Sequence, residues 1–183
     1  MDNLLLTQLV YTRVSHDLSG AAGAVFNGTE LLCEDLSFAG ESASLIQSSA
    51  DNLMKRLRFF RQTFGLQNKQ CPDTTQDYLS TFSMHFSLKK PCVNNLQRVL
   101  VMALTDVFYK GAVFDVSDSC ILATGDAIKE CPELSDILQN GTLSQNANDA
   151  PAVFAYALAR QSNQKLTFTK DEKTIKINFK ENL

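Results

Sequence analysis

The chain has 183 residues, of which 44% are hydrophobic and 20% are charged. This composition is typical of a folded globular protein and excludes wholesale disorder, while the length suits one medium domain or two small ones. The formal net charge is −3. It argues against binding to nucleic acid or to anionic membranes, because a basic surface supplies most of the affinity in both cases.

The N-terminal residues and the cysteines indicate the compartment. Asp2 stands where an export signal needs positive charge, and no apolar run approaches the roughly 18 residues of a membrane-spanning helix. The five cysteines form no C-x-x-C pair, and the only histidines are His16 and His85. We therefore expect a cytoplasmic protein with reduced thiols and without a zinc or His-rich metal centre.

Two long amphipathic helices are predicted in the first third of the chain. Apolar residues recur every three or four positions through residues 3–35 and again through 41–64, after which Gly65 ends the pattern. The short turn over 36–40 makes the pair an antiparallel hairpin. Two helices cannot enclose a core alone, so we expect a homodimer in which two hairpins form a four-helix bundle.

A polar stretch, 67–80, is predicted to be a linker between a helical domain (1–66) and a second domain (81–183). Beyond it, alternating and helical patterns mix, and the turn signals between them predict a small α/β unit. The predicted elements are a strand over 82–88, a helix over 95–110, a strand pair at 112–116 and 120–124, short helices starting at Pro132 and after Asp149, and a hairpin of 165–169 with 174–179. The fold class is therefore α+β.

His16 is predicted to lie away from the apolar stripe of the first helix, with its side chain in solvent. Arg13 and Gly20 share its face, and Gly23 and then Asn27 follow on the next turns. Each mid-helix glycine costs about 1 kcal/mol against alanine, and close approach by another backbone would explain that cost. The alternative is an ordinary exposed histidine on a glycine-weakened helix.

Asp17, directly after His16, suggests a chemistry for this surface. A neutral imidazole nitrogen can attack a phosphoryl group, and an adjacent carboxylate can take its proton or orient the ring. Phosphoryl transfer depends mainly on positioning and charge neutralisation, which a partner protein with its own Mg²⁺ can supply. One exposed histidine with room around it is therefore the minimum that such a site requires.

The same residues resemble a known family. The chain reads H-D-L at 16–18, G-A-V at 23–25, N-G at 27–28 and E-L-L at 30–32. This is similar to the pattern H-D-L-x-S-P-x-G-A-x-x-N-G-x-E-L-L of the ChpT-type histidine phosphotransferases of alphaproteobacteria. The second helix also ends much like that of the family, with L-R-F-F-R-Q-T-F-G at 57–65. Gly20-Ala21 replaces the Ser-Pro of the family, which removes an expected proline kink.

The resemblance implies a dimer built on a four-helix bundle, and a C-terminal domain shaped like a histidine-kinase ATPase domain that has lost nucleotide binding. It also implies a phosphorelay, in which phosphoryl groups pass from the receiver aspartate of a hybrid kinase to the receiver domains of response regulators. By position, His16 is the phospho-acceptor and Asp17 its acidic neighbour. Gly20 and Gly23 would keep the approach open, Asn27 would hydrogen-bond across the docking face, and Arg13 would also contact the partner.

Four basic residues lie near the end of the second helix: Lys55, Arg56, Arg58 and Arg61. They form either a solvated face that suits the helix dipole or a docking surface for the acidic site of a receiver domain. Antiparallel pairing would place them near His16, and we take Arg58 as the expected partner contact.

Two other functions remain open at this point. A divergent ATP-dependent kinase would need glycine-rich phosphate loops, but the chain has no D-x-G-x-G stretch, and the segment S-C-I-L-A-T-G-D-A-I-K-E at 119–130 offers one glycine, Gly125. A dimeric scaffold that has lost phosphotransfer would retain the hairpin without needing His16. We expect no bound nucleotide, metal or organic cofactor in this chain, since the Mg²⁺ would belong to the partner receiver.

Overall fold

The computed structural model of the protein describes residues 3–65 and 71–181. Within these ranges the chain forms six α-helices, five strands and two short 3₁₀ turns. The elements are α1 (Asn3–Glu34), a 3₁₀ turn (Leu36–Phe38), α2 (Ala39–Phe64), α3 (Thr75–Leu79), β1 (His85–Leu88), α4 (Asn95–Thr105), β2 (Gly111–Val116), β3 (Cys120–Thr124), α5 (Pro132–Asn140), a 3₁₀ turn (Ala147–Asp149), α6 (Ala150–Gln161), β4 (Gln164–Lys170) and β5 (Thr174–Glu181).

The predicted helical hairpin is confirmed. α1 and α2 pack along each other and are joined by the 3₁₀ turn, in which the Asp35 carboxylate accepts a hydrogen bond from the backbone N–H of Ser37 at 2.8 Å. Among the glycines within α1 and α2, Gly28 is the one at which the helices approach closely, because a Cβ there would lie 2.8 Å from Cγ1 of Ile46. The small residue therefore lets the two helices pack tightly near their connection.

The predicted linker is only partly described, and its described part is not a plain connector. Residues 66–70 lie outside the described ranges, but Thr75–Leu79 form the short helix α3. Tyr78 and Leu79 are fully buried, and the Tyr78 ring stacks on Phe59 of α2 with 4.0 Å between ring centroids. Burial of these side chains holds 75–79 against the hairpin, so the predicted division of the chain into two domains stays a prediction.

The second half is a two-layer α/β sandwich, which confirms the predicted α+β class and is consistent with an ATPase-like fold. The strand order is β1-β2-β3-β5-β4, with β1 parallel to β2 and the other neighbours antiparallel. Side chains alternate across the sheet, so that Phe114, Ile121 and Ile177 are buried beneath α4, α5 and α6. α4 ends at Thr105, five residues earlier than predicted.

The hairpin packs directly on this sandwich. α1 contacts α6 and the turn before it, and α2 contacts α4. Leu9 of α1 and Phe60 of α2 belong to the same apolar core as Leu100 of α4 and Ala155 of α6. The hairpin and the sandwich therefore share one core. Among residues 3–65 and 71–181, no helix is long and apolar enough to cross a membrane.

Candidate functional site

His16 lies near the middle of α1 with its side chain 82% exposed, as the helical pattern predicts. Its Nδ1 atom is 3.3 Å from Oδ1 of Asp17. An ionised carboxylate only accepts hydrogen bonds, so we assign the ring proton to Nδ1. The second ring nitrogen, Nε2, is then the unprotonated one and is available as a nucleophile.

Asp17 is held in place from its buried side. Its side chain is only 10% exposed, and Oδ2 accepts a hydrogen bond from Nε of Arg13 at 3.1 Å. Consecutive residues on a helix point about 100° apart, which is why His16 faces solvent while Asp17 faces the interface with the α/β unit. The carboxylate thus joins an exposed imidazole to a buried cation.

Arg13 does not lie on the solvent face, contrary to the prediction that it contacts a partner. It is 5% exposed, and its guanidinium donates to both carboxylate oxygens of Asp106 at 2.7 and 3.1 Å and to Oδ1 of Asn148 at 3.0 Å. Burial by itself would lower the pKa of Arg13, but the hydrogen bond and charge of Asp106, with the charge of Asp17, outweigh it and hold that pKa above its ordinary value. Arg13 therefore holds α1 against the α/β unit, and we call this side chain with its contacts to Asp106 and Asn148 the Arg13 clamp.

The clamp connects α1 with two parts of the sandwich. Asp106 caps the C-terminal end of α4, and its backbone carbonyl accepts a hydrogen bond from Nζ of Lys129 at 2.7 Å. Asn148 lies in the 3₁₀ turn before α6. The prediction failed at Arg13 because the apolar pattern of α1 accounts only for packing against one side, whereas the helix has a second, polar contact with the α/β unit.

Tyr78 closes the buried side of the site. It is fully buried, and its hydroxyl has no hydrogen-bond partner among the described residues. Burial raises the pKa of Tyr78, and the negative charge of Asp17 raises it further, whereas the charge of Arg13 lowers it. Tyr78 therefore lies close enough to the Arg13–Asp17 pair for both charges to act on its hydroxyl.

A shallow depression of about 280 Å³ opens beside His16. It lies between α1, α2 and the turn after α3, and the residues lining it are His16, Asp17, Gly20, Ala21, Ala24, Ser49, Asn52, Arg56 and Thr81. A Cβ at Gly20 would have no atom within 4 Å, so this residue leaves open space next to the imidazole, as predicted. Arg56, from α2, is the residue that brings a positive charge to the depression.

The other predicted partner contacts lie outside this depression. Gly23 and Asn27 are exposed further along α1, and a Cβ at Gly23 would also meet nothing within 4 Å. Arg58 is exposed, but it lines a separate depression together with Arg61 and Pro72. The antiparallel pairing that was expected to bring the basic residues near His16 therefore brings Arg56 to it rather than Arg58.

A second cavity of about 280 Å³ lies where α4, α5 and α6 meet. Four carboxylates line it, from Asp106, Glu130, Glu133 and Asp149, with Lys129 as the basic residue. A net negative lining disfavours a polyphosphate, because like charges in a partly desolvated cavity repel. This cavity is a poor site for the triphosphate of ATP.

Known proteins resemble the chain in sequence over part of its length and in fold over nearly all of it. Over 60 residues the chain is 42% identical to protein phosphotransferase ChpT of Brucella abortus strain 2308, and these residues are 33% of this chain and 28% of that protein. A solved structure described as a bacterial phosphotransferase shares the fold, with a TM-score of 0.81 at 21% identity over 98% of each chain. No family model matches. The chain thus resembles ChpT over a third of its length and has the fold of a bacterial phosphotransferase over nearly all of it.

Proposed function

We propose that the protein is a histidine phosphotransferase of a two-component phosphorelay, with His16 as the residue that accepts and returns the phosphoryl group. The observation that supports this most is the geometry of His16, whose ring is exposed while its Nδ1 atom is paired with the buried carboxylate of Asp17. A histidine that only packed or only faced solvent would not need this arrangement.

The reaction follows from that geometry. Nε2 of the neutral imidazole attacks the phosphorus of a receiver aspartyl phosphate, the N–P bond forms, and the acyl P–O bond breaks to leave the free aspartate. The ring keeps its Nδ1 proton and becomes positively charged, and Asp17 stabilises that charge. No proton has to leave the site, so the reverse transfer to a second receiver uses the same groups.

The partner surface is the open face of the hairpin around His16. Transfer needs the aspartyl phosphate to approach the imidazole to about 3 Å, and Gly20 leaves the room for it. Gly23, Asn27 and Arg58 are exposed on the hairpin and would extend the contact, with Arg58 facing acidic residues of the receiver. The Mg²⁺ that phosphoryl transfer uses would be bound by the receiver domain.

The apolar surface of the hairpin supports a homodimer. Leu4, Tyr11, Leu18, Val25 and Leu32 recur every seven residues along α1, which is the spacing of a helix-to-helix seam. Tyr11 is 73% exposed and Phe26 is 60% exposed in the single chain. Pairing two hairpins would bury these side chains, and the helical spacing leaves His16 on another side of α1.

The two alternative functions, an ATP-dependent kinase and a dimeric scaffold, have less support. An ATP-dependent kinase gains no support from the cavity between α4, α5 and α6, because the carboxylates of Asp106, Glu130, Glu133 and Asp149 in its lining would repel a triphosphate. A scaffold without phosphotransfer would explain the hairpin, but it gives no reason for the contact between Asp17 and His16 or for the ion pair with Arg13 that holds Asp17 in place.

A label-transfer experiment tests the proposal. A radiolabelled phospho-receiver domain from each hybrid kinase of the same organism is mixed with the wild type, with His16→Ala and with His85→Ala, which removes the other histidine. We expect acid-labile label on the wild type and on His85→Ala, and none on His16→Ala. Absence of label from every such receiver on folded wild-type protein would favour the scaffold, and label from Mg-ATP alone would favour the kinase.

A further inference from the structure

We propose that Arg56 is a catalytic residue that binds the phosphoryl group on its way to and from His16. This inference rests on the proposed phosphotransfer function and assigns to the depression beside His16 the chemistry of an oxyanion-binding site. It is carried by the position of the guanidinium, by the lack of an acidic partner for it among residues 3–65 and 71–181, and by the contacts that orient it.

Arg56 reaches the acceptor residue from the other helix of the hairpin. Its side chain lines the same depression as His16, and Nη1 lies 3.4 Å from the backbone carbonyl oxygen of Asp17. The guanidinium therefore reaches the residue that directly follows His16, on the side of α1 where Gly20 leaves open space.

In the part of the chain that the structure describes, the charge of Arg56 has no ion-pair partner. Arg13 is paired with Asp17 and Asp106, and Arg98 is paired with Asp73, whereas the ion pairs among the described residues include no carboxylate for Arg56. Its contacts are a hydroxyl, a carbonyl and an aromatic ring. An arginine whose contacts are all neutral keeps its full attraction for an incoming anion.

The contacts of Arg56 also fix the direction of its guanidinium. Nε donates to Oγ1 of Thr81 at 3.1 Å, and the guanidinium carbon lies 5.3 Å from the centroid of the Phe82 ring. These contacts lie on the turn after α3, which the buried Tyr78 and Leu79 anchor. The planar group is thus oriented before any ligand arrives, which lowers the entropic cost of binding.

A cation in this place has a defined task. The phosphoryl group transferred to Nε2 carries negative charge on its peripheral oxygens throughout the reaction, and neutralisation of that charge is a main source of catalysis in phosphoryl transfer. Arg56 would donate hydrogen bonds to those oxygens and would neither gain nor lose a proton. Asp17 would stabilise the imidazolium on one side of the ring while Arg56 stabilises the phosphoryl group on the other.

The test uses phosphoramidate, a small donor that excludes effects on docking. Nε2 of His16 attacks its phosphorus, the N–P bond to ammonia breaks, and the ring retains its Nδ1 proton. We expect Arg56→Ala to slow labelling of His16 by at least about tenfold. Arg160→Ala is the matched control, because Arg160 also lies over an aromatic ring and donates to a hydroxyl, both of Tyr156, but is remote from His16 in the fold. It should label at the wild-type rate.

Conservative variants separate the charge from the packing on Phe82. Arg56→Lys keeps the positive charge and Arg56→Gln keeps only a polar side chain, and thermal unfolding checks that each variant is folded. Faster labelling of Arg56→Lys than of Arg56→Gln supports the proposal, and equal rates overturn it even if Arg56→Ala does not fold.

The two proposals fail in different ways. If the wild type takes label from phosphoramidate or from a phospho-receiver and Arg56→Ala takes it at the same rate from that donor, the role of Arg56 is wrong and the phosphotransfer function stands. If the wild type takes no label from either donor, the phosphotransfer function itself is wrong and the role of Arg56 falls with it.

Discussion

At the scale of single residues, the candidate site consists of an exposed histidine next to a largely buried ion pair. His16 is open to solvent while Asp17 and Arg13 are nearly inaccessible, so the imidazole is free to meet a partner while the carboxylate beside it is held in place. A carboxylate in this position fixes the tautomer and ring orientation of a histidine, as in other active sites.

Replacing Asp17 tests that arrangement. Asp17→Asn removes the negative charge that holds the Nδ1 proton and pairs with Arg13, so we expect the transfer rate from a phospho-receiver to fall by about tenfold or more. Asp51→Asn is the matched control, since Asp51 also pairs with a residue four positions away, Lys55 at 3.1 Å, but is 64% exposed. The rates are measured by quenching the label-transfer reaction at fixed times. Equal rates for Asp17→Asn and Asp51→Asn would contradict a role for Asp17.

The residue level also shows how far the sequence predicted the site. His16 and its acidic neighbour follow from helical periodicity and from the resemblance, and the exposure of His16 is confirmed. Arg13 could not be placed, because its partners Asp106 and Asn148 are 93 and 135 residues away in the chain. Arg56 was among the predicted basic residues, and the i, i+3, i+7 spacing of Ser49, Asn52 and Arg56 on α2 was the signal that could have selected it.

At the scale of elements, different parts of α1 make different kinds of contact. It carries apolar residues in a seven-residue repeat, its middle carries His16, and its far end approaches α2 closely at Gly28. The helix therefore contains glycines for two reasons: Gly20 and Gly23 stand in open space, whereas Gly28 has Ile46 against it.

Alanine substitutions distinguish these two kinds of glycine. Gly23→Ala adds a methyl group in open space and should raise the free energy of unfolding by about 0.5–1 kcal/mol, because glycine is a poor helix former. Gly28→Ala gains the same helix propensity but places a Cβ 2.8 Å from Ile46, so it should be clearly less stable than Gly23→Ala. Urea unfolding measures both, and the reverse order of stability would contradict the packing described here.

The elements most open to prediction were those with strong periodicity. The two hairpin helices, β3 and the closing strand pair lie within about two residues of the predicted bounds. The helix α3 was missed because it has five residues within a polar stretch, and too few apolar positions for a period to be visible. Its burial comes from the surroundings that Phe59 and the hairpin provide, which local sequence does not contain.

At the scale of the whole molecule, the sandwich serves as a support for the hairpin. The Arg13 clamp to Asp106 and Asn148 and the continuous core connect α1 with α4 and α6. The α/β unit thus contributes to the site by holding Asp17 through Arg13. This is a use for an ATPase-like fold that does not require a nucleotide.

The proposed dimer is a prediction at this scale. Tyr11→Glu places a charge in the apolar seam of α1 and should convert the dimer to a monomer, because a buried unpaired charge is strongly unfavourable at an apolar interface. Tyr109→Glu is the control, as Tyr109 is 61% exposed on the α/β unit outside the hairpin. Light scattering coupled to size-exclusion chromatography gives the mass of each. A wild type that is monomeric at every concentration would contradict the dimer.

The most direct test of the central claim is to identify the atom that carries the phosphoryl group. Protein labelled with ¹⁵N at histidine is charged by a phospho-receiver, and NMR couplings between nitrogen and phosphorus locate the new bond. We predict one phosphorylated nitrogen, Nε2 of His16, with the proton still on the Nδ1 atom that faces Asp17. Phosphorus on His85, on Nδ1 of His16 or on a side chain other than histidine would contradict the account.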